Sequence, residues 1–272
     1  MIITRRFNLL RHWFSGSRQN VGFFELLKHL LAPISKYKAK KFISEINEDK
    51  DYYIVKLVNL ANVFYYPKRF GINSLYQVIS ETYCIDDWHY YEAFETKVGQ
   101  GDIVLDCGAA EGLFSLVVAK RCQKVYCVEP LSDFIMALEK TFANIPNVEI
   151  VPLALGARAE SGFMTDDGFQ SKLFTTPTDH PVNVVTIDSL FYEKNLPLTY
   201  IKVDLEGYEL EMLAGAKETI KLNRPKIAIT TYHKAEHAVA IAKFLKDIHS
   251  DYNIRLKGIE ERAGAPVMLH AW

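Results

Sequence analysis

The pattern Asp106-x-Gly108-x-x-x-Gly112 stands where one apolar run ends and a second, helix-like one begins, in a chain of 272 residues. A turn at such a junction needs residues that adopt unusual backbone angles and let a ligand approach the main chain, a need that Gly108 and Gly112 meet. A dinucleotide fold would use G-x-G-x-x-G and seat its pyrophosphate on the helix N-terminus. Here Ala109, Ala110 and Glu111 fill the interior, and the carboxylates of Asp106 and Glu111 would repel a phosphate. An uncharged nucleoside bearing a sulfonium and an ammonium group suits the turn better. The glycine spacing taken alone also fits a merely tight turn.

Further along the chain, Val125-Tyr126-Cys127-Val128-Glu129 ends in an acid followed by Pro130. A carboxylate at the end of the second strand can accept hydrogen bonds from both ribose hydroxyls, which makes Glu129 the expected ribose clamp. Its plainer role is that of an acid near a helix N-terminus. The alternation Lys202, Asp204, Glu206 is the next cluster. Residues two apart on a strand face one side, so Lys202 and Asp204 are expected as partners, with Glu206 just past the strand end. The rim at the carboxyl ends of such strands is where open α/β sheets bind ligands, although a structural ion pair is the bland alternative. His233, after Thr230-Thr231-Tyr232, adds a titratable imidazole to the same rim or starts the next helix.

Composition bounds these readings. About half the chain is apolar (49 %), enough for one core with a smaller appendage. The net charge of −1 gives no electrostatic reason to expect nucleic acid as a partner. Cys84, Cys107, Cys122 and Cys127 form no C-x-x-C pair, and reduced structural thiols are expected. No metal-ligand cluster is apparent in the spacing. The first twenty residues are broken by arginines and lack the apolar centre of a secretory leader. With reduced thiols, this points to a cytoplasmic protein. Residues 1–41 carry nine Lys and Arg against the single acid Glu25, interleaved with Phe, Leu and Trp. This apolar stripe is expected to pack on its own domain, with contact to an anionic membrane surface as the alternative.

The elements that must position these residues follow from the apolar pattern. Residues 1–96 read as a mainly helical supporting segment with one extended piece at 53–66 and no clustered chemistry. Glycines at 99 and 101 mark a boundary, and residues 97–272 form the second unit. There, short apolar runs at 103–106, 124–129, 149–154, 200–204, 226–231, 252–257 and 266–271 alternate with helical stretches. This is the mark of an α/β protein with a mostly parallel sheet. Helices are expected at 113–120, 131–141 and 209–222. The last two strands, joined by 258–264, form an antiparallel pair. Residues 157–197 read as a long polar loop that shapes the site, with Asp166 and Asp167 as candidate sugar contacts or a solvated turn.

Together, Val104 to Gly112, Val128-Glu129-Pro130, Ala154-Leu155-Gly156, Val184 to Asp188 and Ile201 to Glu209 resemble the FkbM family of methyltransferases over residues 102–272. The segment Lys202-x-Asp204-x-Glu206-Gly207-x-Glu209 is the most specific of these; the family's commoner asparagine in the glycine turn is Ala110 here. The resemblance implies a Rossmann-like seven-stranded sheet with helices on both faces. It also implies S-adenosylmethionine held by Asp106, Gly108, Ala109, Glu111, Gly112, Glu129 and Ala154, and O-methylation of a sugar in a glycan or of a secondary metabolite. Asp204 is the expected base, with Lys202 orienting it, Glu206 as a pocket acid and His233 in reserve. A scaffold that keeps the fold without the chemistry and a nicotinamide-dependent oxidoreductase are the alternatives.

Overall fold

The computed structural model describes residues 2–165, 173–174 and 180–272. Asp166 and Asp167 lie outside the described residues. Two helices, α1 (Ile2–Ser15) and α2 (Phe23–Leu31), and the short α3 (Ser35–Ala39) lead into an antiparallel sheet of β1 (Ile43–Glu48), β2 (Tyr52–Leu57) and β3 (Phe64–Pro67). The helix α4 (Gly71–Tyr83) follows. The extended piece expected at 53–66 is two strands, β2 and β3, and β1 precedes it unannounced, because β1 shows only two half-buried positions among exposed ones and carries no clean alternation.

The second unit begins β4 (Ile103–Cys107), α5 (Leu113–Ala119), β5 (Lys124–Val128), α6 (Ser132–Phe142) and β6 (Val148–Val151). Pro152 follows and cannot donate to a sheet ladder, so the third strand stops short of its expected end. Ala154 instead opens β7 (Ala154–Leu155), which belongs to a second sheet with β8 (Glu160–Met164), β9 (Leu173–Phe174) and β10 (His180–Val185), in the order β7-β10-β8-β9. The expected long loop at 157–197 thus carries three strands of this four-stranded sheet and a short helix, α7 (Ile187–Leu190). After it come β11 (Tyr200–Val203), α8 (Glu209–Ala214), α9 (Lys217–Asn223), β12 (Lys226–Thr230), α10 (His237–Ile248), β13 (Ile254–Lys257) and β14 (Met268–Ala271).

The main sheet has seven strands in the order β13-β14-β12-β11-β4-β5-β6. From β12 to β6 every pairing is parallel, while β14 runs antiparallel to both β12 and β13. Side chains alternate between the faces. Val104, Val125, Tyr200 and Ala228 pack under α4, α5 and α6, through Leu75, Ile79, Leu113, Leu116, Leu138 and Phe142. Leu105, Cys107, Ile201, Val203 and Ile229 pack under α7 to α10, through Ile187, Met212, Leu213, Ile220, Ile241 and Leu245. Cutting back any of the buried leucines, isoleucines or Met212 among these to alanine costs about 2 to 5 kcal/mol. Val55, Phe64, Leu75 and Ile79 lie in the same apolar cluster as Val104, so residues 1–96 and the main sheet share a core. All four cysteines are free thiols.

The expected helix at 209–222 is two helices, for a reason that lies outside the local pattern. A Cβ on Gly215 would overlap the carbonyl oxygen of Gly156, so the chain passes there as glycine and the helix restarts. The Asp188 carboxylate caps the restart, accepting the backbone N–H groups of Glu218 at 3.1 Å and Thr219 at 2.7 Å.

Candidate active site

The glycine turn lies at the carboxyl end of β4, and its two glycines serve packing first. Gly108 has φ +71° and a Cβ there would overlap the carbonyl oxygen of Asp204. Gly112 has φ +80° and a Cβ would press into Leu138 and Phe142 of α6. The turn is therefore pulled flush against both the end of β11 and α6. Ala110 sits between them at φ +46°, a left-handed angle unfavourable for a residue with a side chain. Beside the turn is a cavity lined by Gly108, Ala109, Ala110, Glu111, Glu129, Leu131, Phe134, Ala154, Met164, Lys202, Asp204 and Glu206. Asp106 and Gly112 are not among its lining residues.

Glu129 is buried and uses one lone pair on each oxygen. Oε2 accepts the Ala110 N–H and Oε1 accepts the Leu131 N–H, both at 2.9 Å. Each oxygen keeps capacity for a second donor, which a pair of vicinal hydroxyls would supply. Burial pushes the Glu129 carboxyl up to about 7 against the pull of those two N–H groups. Burial likewise pushes Glu111 up to about 8, with Lys202 among the groups that oppose it. Burial favours the neutral form of both carboxyls, and a cation brought into the cavity would favour their ionised forms.

Lys202 does not pair with Asp204 as expected. Its Nζ lies 2.9 Å from Asp106 Oδ1 and donates to the Gly108 carbonyl at 2.7 Å. The reason is register: Lys202 stands directly opposite Asp106 on the neighbouring parallel strand, on the same face, whereas β11 ends at Val203, before Asp204. Burial pulls the Lys202 ammonium down, but Asp106 and Asp204 outweigh it and its pKa stays raised. Ser115 donates its hydroxyl to Asp106 Oδ2 at 2.7 Å. Asp106 is thus a wholly buried strut that fixes the lysine, and the lysine fixes the turn.

Asp204 is held instead by Tyr91, whose hydroxyl donates to Oδ2 at 2.8 Å. Tyr91 comes from the segment before 96, where no chemistry was expected. The hydroxyl of Tyr200 donates to the Tyr91 carbonyl at 2.8 Å and pins that loop. The segment also supplies Glu81 to the cavity and His89, whose ring lies 3.7 Å from Glu81 and 3.8 Å from Asp87. Burial draws His89 down, but those carboxylates dominate and raise it to about 9. The run Asp86-Asp87-Trp88-His89-Tyr90-Tyr91 was the available signal, a dense patch of titratable and aromatic residues just ahead of the glycine boundary.

His233 stands on the rim after β12. Its Nδ1 lies 2.7 Å from Glu209 Oε1, and its Nε2 lies 3.4 Å from Glu206 Oε2 and 3.8 Å from Asp204 Oδ1. Burial lowers its pKa, yet the Glu209 contact and the carboxylates of Asp204 and Glu206 raise it overall. Glu209 stands in the first turn of α8, where an acid favours the helix dipole, and it does more. It is fully buried and close to His233 and, at 3.1 Å, to His237. Burial opposes its charge, but the two histidines hold the carboxyl well below its ordinary range. His233 does not line the cavity. It lines an adjoining groove with His89, Tyr232, Lys38 and Arg262, and Glu81 and Glu206 border both spaces.

The glycine turn, the acid after the second strand and the acidic rim occupy one cavity, and residues 106–253, more than half of the chain, match the methyltransferase FkbM domain. The chain belongs to the FkbM methyltransferase family. S-adenosylmethionine is the cofactor of that family. Among solved structures the chain is similar to the methyltransferase FkbM from Methylobacillus flagellatus KT, at 21 % identity and a TM-score of 0.53 over 75 % of this chain and 55 % of that one. This chain therefore spans little more than half of that protein's length. It is also similar to a putative methyltransferase from Streptococcus mutans in complex with SAH, at 14 % identity and TM-score 0.41, over 64 % of this chain and 89 % of that one. Fibrillarin from Aeropyrum pernix with bound S-adenosyl-L-methionine aligns at 12 % identity and TM-score 0.43, over 85 % of this chain and 99 % of that one. No curated protein matches. The lining fits the family's cofactor: Glu129 has acceptor capacity for a ribose diol, Leu131, Phe134 and Met164 offer an apolar wall, and the acids favour a sulfonium.

Proposed function

We propose that this chain transfers the methyl group of S-adenosylmethionine to a hydroxyl oxygen of a sugar in a glycan or of a secondary metabolite. The observation that carries the reading is Asp204. Its carboxylate is fixed through one oxygen by Tyr91 and stands at the border of the cavity that Gly108, Glu111 and Glu129 line. In this reading Glu129 takes the ribose hydroxyls, and Gly108, Ala109, Glu111 and Ala154 enclose the remainder of the cofactor, while Asp106 and Gly112 hold the turn in shape. The bound cofactor supplies an already activated methyl group, so orientation contributes most of the rate. The acceptor enters from the groove side, past Glu81 and Glu206. Asp204 accepts the hydroxyl proton as the oxygen lone pair forms the new carbon–oxygen bond and the carbon–sulfur pair stays on sulfur.

The test is a screen of glycans and small alcohols with isotopically labelled methyl donor, read by product mass. A labelled ether is expected. Calorimetric titration with S-adenosylmethionine distinguishes the scaffold alternative, which binds the cofactor without turnover. Absence of any cofactor binding to the folded chain would overturn the proposal.

A second reading concerns partners. On α1 and α2, Phe7, Phe14, Phe24 and Leu31 are exposed, Phe24 by 83 % and Leu31 by 73 %. Arg6, Arg11 and Arg18 are exposed beside them. An apolar patch rimmed by cations suits an anionic lipid surface. No helix among the described residues is long and apolar enough to cross a membrane, so the contact is peripheral in this reading. Flotation with phosphatidylserine vesicles but not with phosphatidylcholine vesicles is expected, and equal behaviour with both refutes it.

A further inference from the structure

Three ligand-type side chains converge beyond the ends of β11 and β12. Asp204, Glu206 and His233 each bring one oxygen or nitrogen to within 4.8 Å of the others. The chain achieves this with a tight turn: Glu206 has φ +51° and Gly207 φ +101°, both in the left-handed region. That turn folds the Glu206 carboxylate back towards the histidine. Left-handed angles at a residue with a side chain are unfavourable and concentrate at functional sites.

The histidine supplies the independent observation. Its side chain is only 8 % exposed, and Nε2 is buried with no hydrogen-bond partner. The other ring nitrogen is tied to Glu209, 2.7 Å away. Glu209 is itself anchored, accepting the N–H groups of Leu205 and Gly207, each at 3.3 Å. With Nδ1–H donated to that carboxylate, the Nε2 lone pair faces Asp204 and Glu206. An imidazole oriented through its far nitrogen by a buried carboxylate is the usual support of a metal-bound histidine. A solitary catalytic base would not need two carboxylates around the same nitrogen.

We propose that Asp204, Glu206 and His233 bind one divalent cation at the junction of the cavity and the groove. Two carboxylate oxygens and one imidazole nitrogen make a mixed, oxygen-rich set that suits Mn²⁺ or Mg²⁺ better than thiophilic metals. Three protein ligands leave coordination positions open on the groove side. There the cation takes oxygens of the acceptor, which selects acceptors that present two neighbouring oxygens, such as a vicinal diol. This selection rests on the methyl-transfer reading, whereas the cation site does not. Asp204 then serves as a ligand as well as a proton acceptor, through its two different oxygens.

The experiment titrates the full-length, chelator-stripped protein with manganese chloride and follows the loss of the free-ion signal by electron paramagnetic resonance. One Mn²⁺ per chain is expected, displaced by excess Mg²⁺, with binding at least about tenfold weaker in Glu206→Gln and in Asp204→Asn. Circular dichroism melting checks that each variant is folded; if one is not, the other decides. A proton on Nε2 would satisfy the same atoms, and then the wild-type chain shows no saturable Mn²⁺ binding, which overturns the proposal. Unchanged affinity in the folded variants overturns it too. The readout needs neither cofactor nor acceptor, so a failed cation site leaves methyl transfer standing, and a failed transfer assay leaves the cation site standing.

Discussion

Replacing Lys202 by Met tests the structural centre of the site, because the pairing seen here differs from the one the strand pattern suggests. Lys202 and Asp106 are 5 % and 0 % exposed, with 2.9 Å between Nζ and Oδ1. At that separation and an effective dielectric of about 20, their gross attraction is about 6 kcal/mol. Desolvation of the two charges cancels most of this, so the pair adds little net stability. Removing one partner is different: Lys202→Met leaves a buried, uncompensated carboxylate and frees the Gly108 carbonyl. A loss of about 3 to 5 kcal/mol is expected. Asp106→Asn should cost a comparable amount, and the double variant should recover at least about 2 kcal/mol relative to the sum of the singles. Urea unfolding of the four proteins, compared at equal m-values, measures this. The cycle between Lys202 and Asp204 should show a smaller coupling. Additivity within about 0.5 kcal/mol for the 106–202 pair, or a larger coupling for 202–204, would refute the assignment of the lysine to Asp106.

Three further outcomes follow from the same geometry. Glu129 is raised by burial to about 7 from an ordinary value of 4.5. Its protonated form is therefore favoured by folding, and that stabilisation, full below the unfolded value, is lost as pH rises through 7, at a cost of roughly 3 kcal/mol. A cofactor that donates hydroxyls to the carboxylate should release protons on binding at about pH 6, which calorimetry in buffers of different ionisation enthalpy detects. Glu129→Gln should lower the release to whatever Glu111 contributes, and an unchanged release would sink the ribose assignment. Gly108→Ala places a Cβ on the Asp204 carbonyl at φ +71° and should cost roughly 2 to 5 kcal/mol, seen as a lowered melting temperature. Asp204→Asn should slow turnover at least about a hundredfold while cofactor affinity changes little, and near-normal turnover rejects Asp204 as the proton acceptor.

The main sheet was legible because its inner strands are buried on both faces and read as continuous apolar runs, as Ile227-Ala228-Ile229 does with all three residues buried. The strands that escaped notice have mixed surroundings. β1 carries Glu45, Asn47 and Glu48 outward, and β8 to β10 lie in a segment whose polarity resembles a loop. The break between α8 and α9 depends on Gly156, a residue far away in the chain that the Gly215 backbone must approach. No helical period encodes such a contact.

The site divides along the same line. Glu129 was recognisable because the glycine turn and the acid lie on consecutive strands, so their distance in sequence reports their distance in space. Lys202 misled because a single strand offers only its own neighbours as partners, while strand order decides which other strand lies beside it. β4 lies next to β11, and only that fact brings Asp106 to the lysine. Tyr91 reaches Asp204 across 113 positions, and Glu209 reaches His233 across 24. Neither partner can be read from its own position: Tyr91 ends a titratable and aromatic run, and Glu209 sits in the first turn of a helix. Their roles arise from a topology in which the segment before 96 closes one wall and two strand ends meet at the rim. Residues that hold other residues are therefore the ones whose role a linear pattern does not reveal, and in this chain Tyr91, Asp106 and Glu209 are all of that kind.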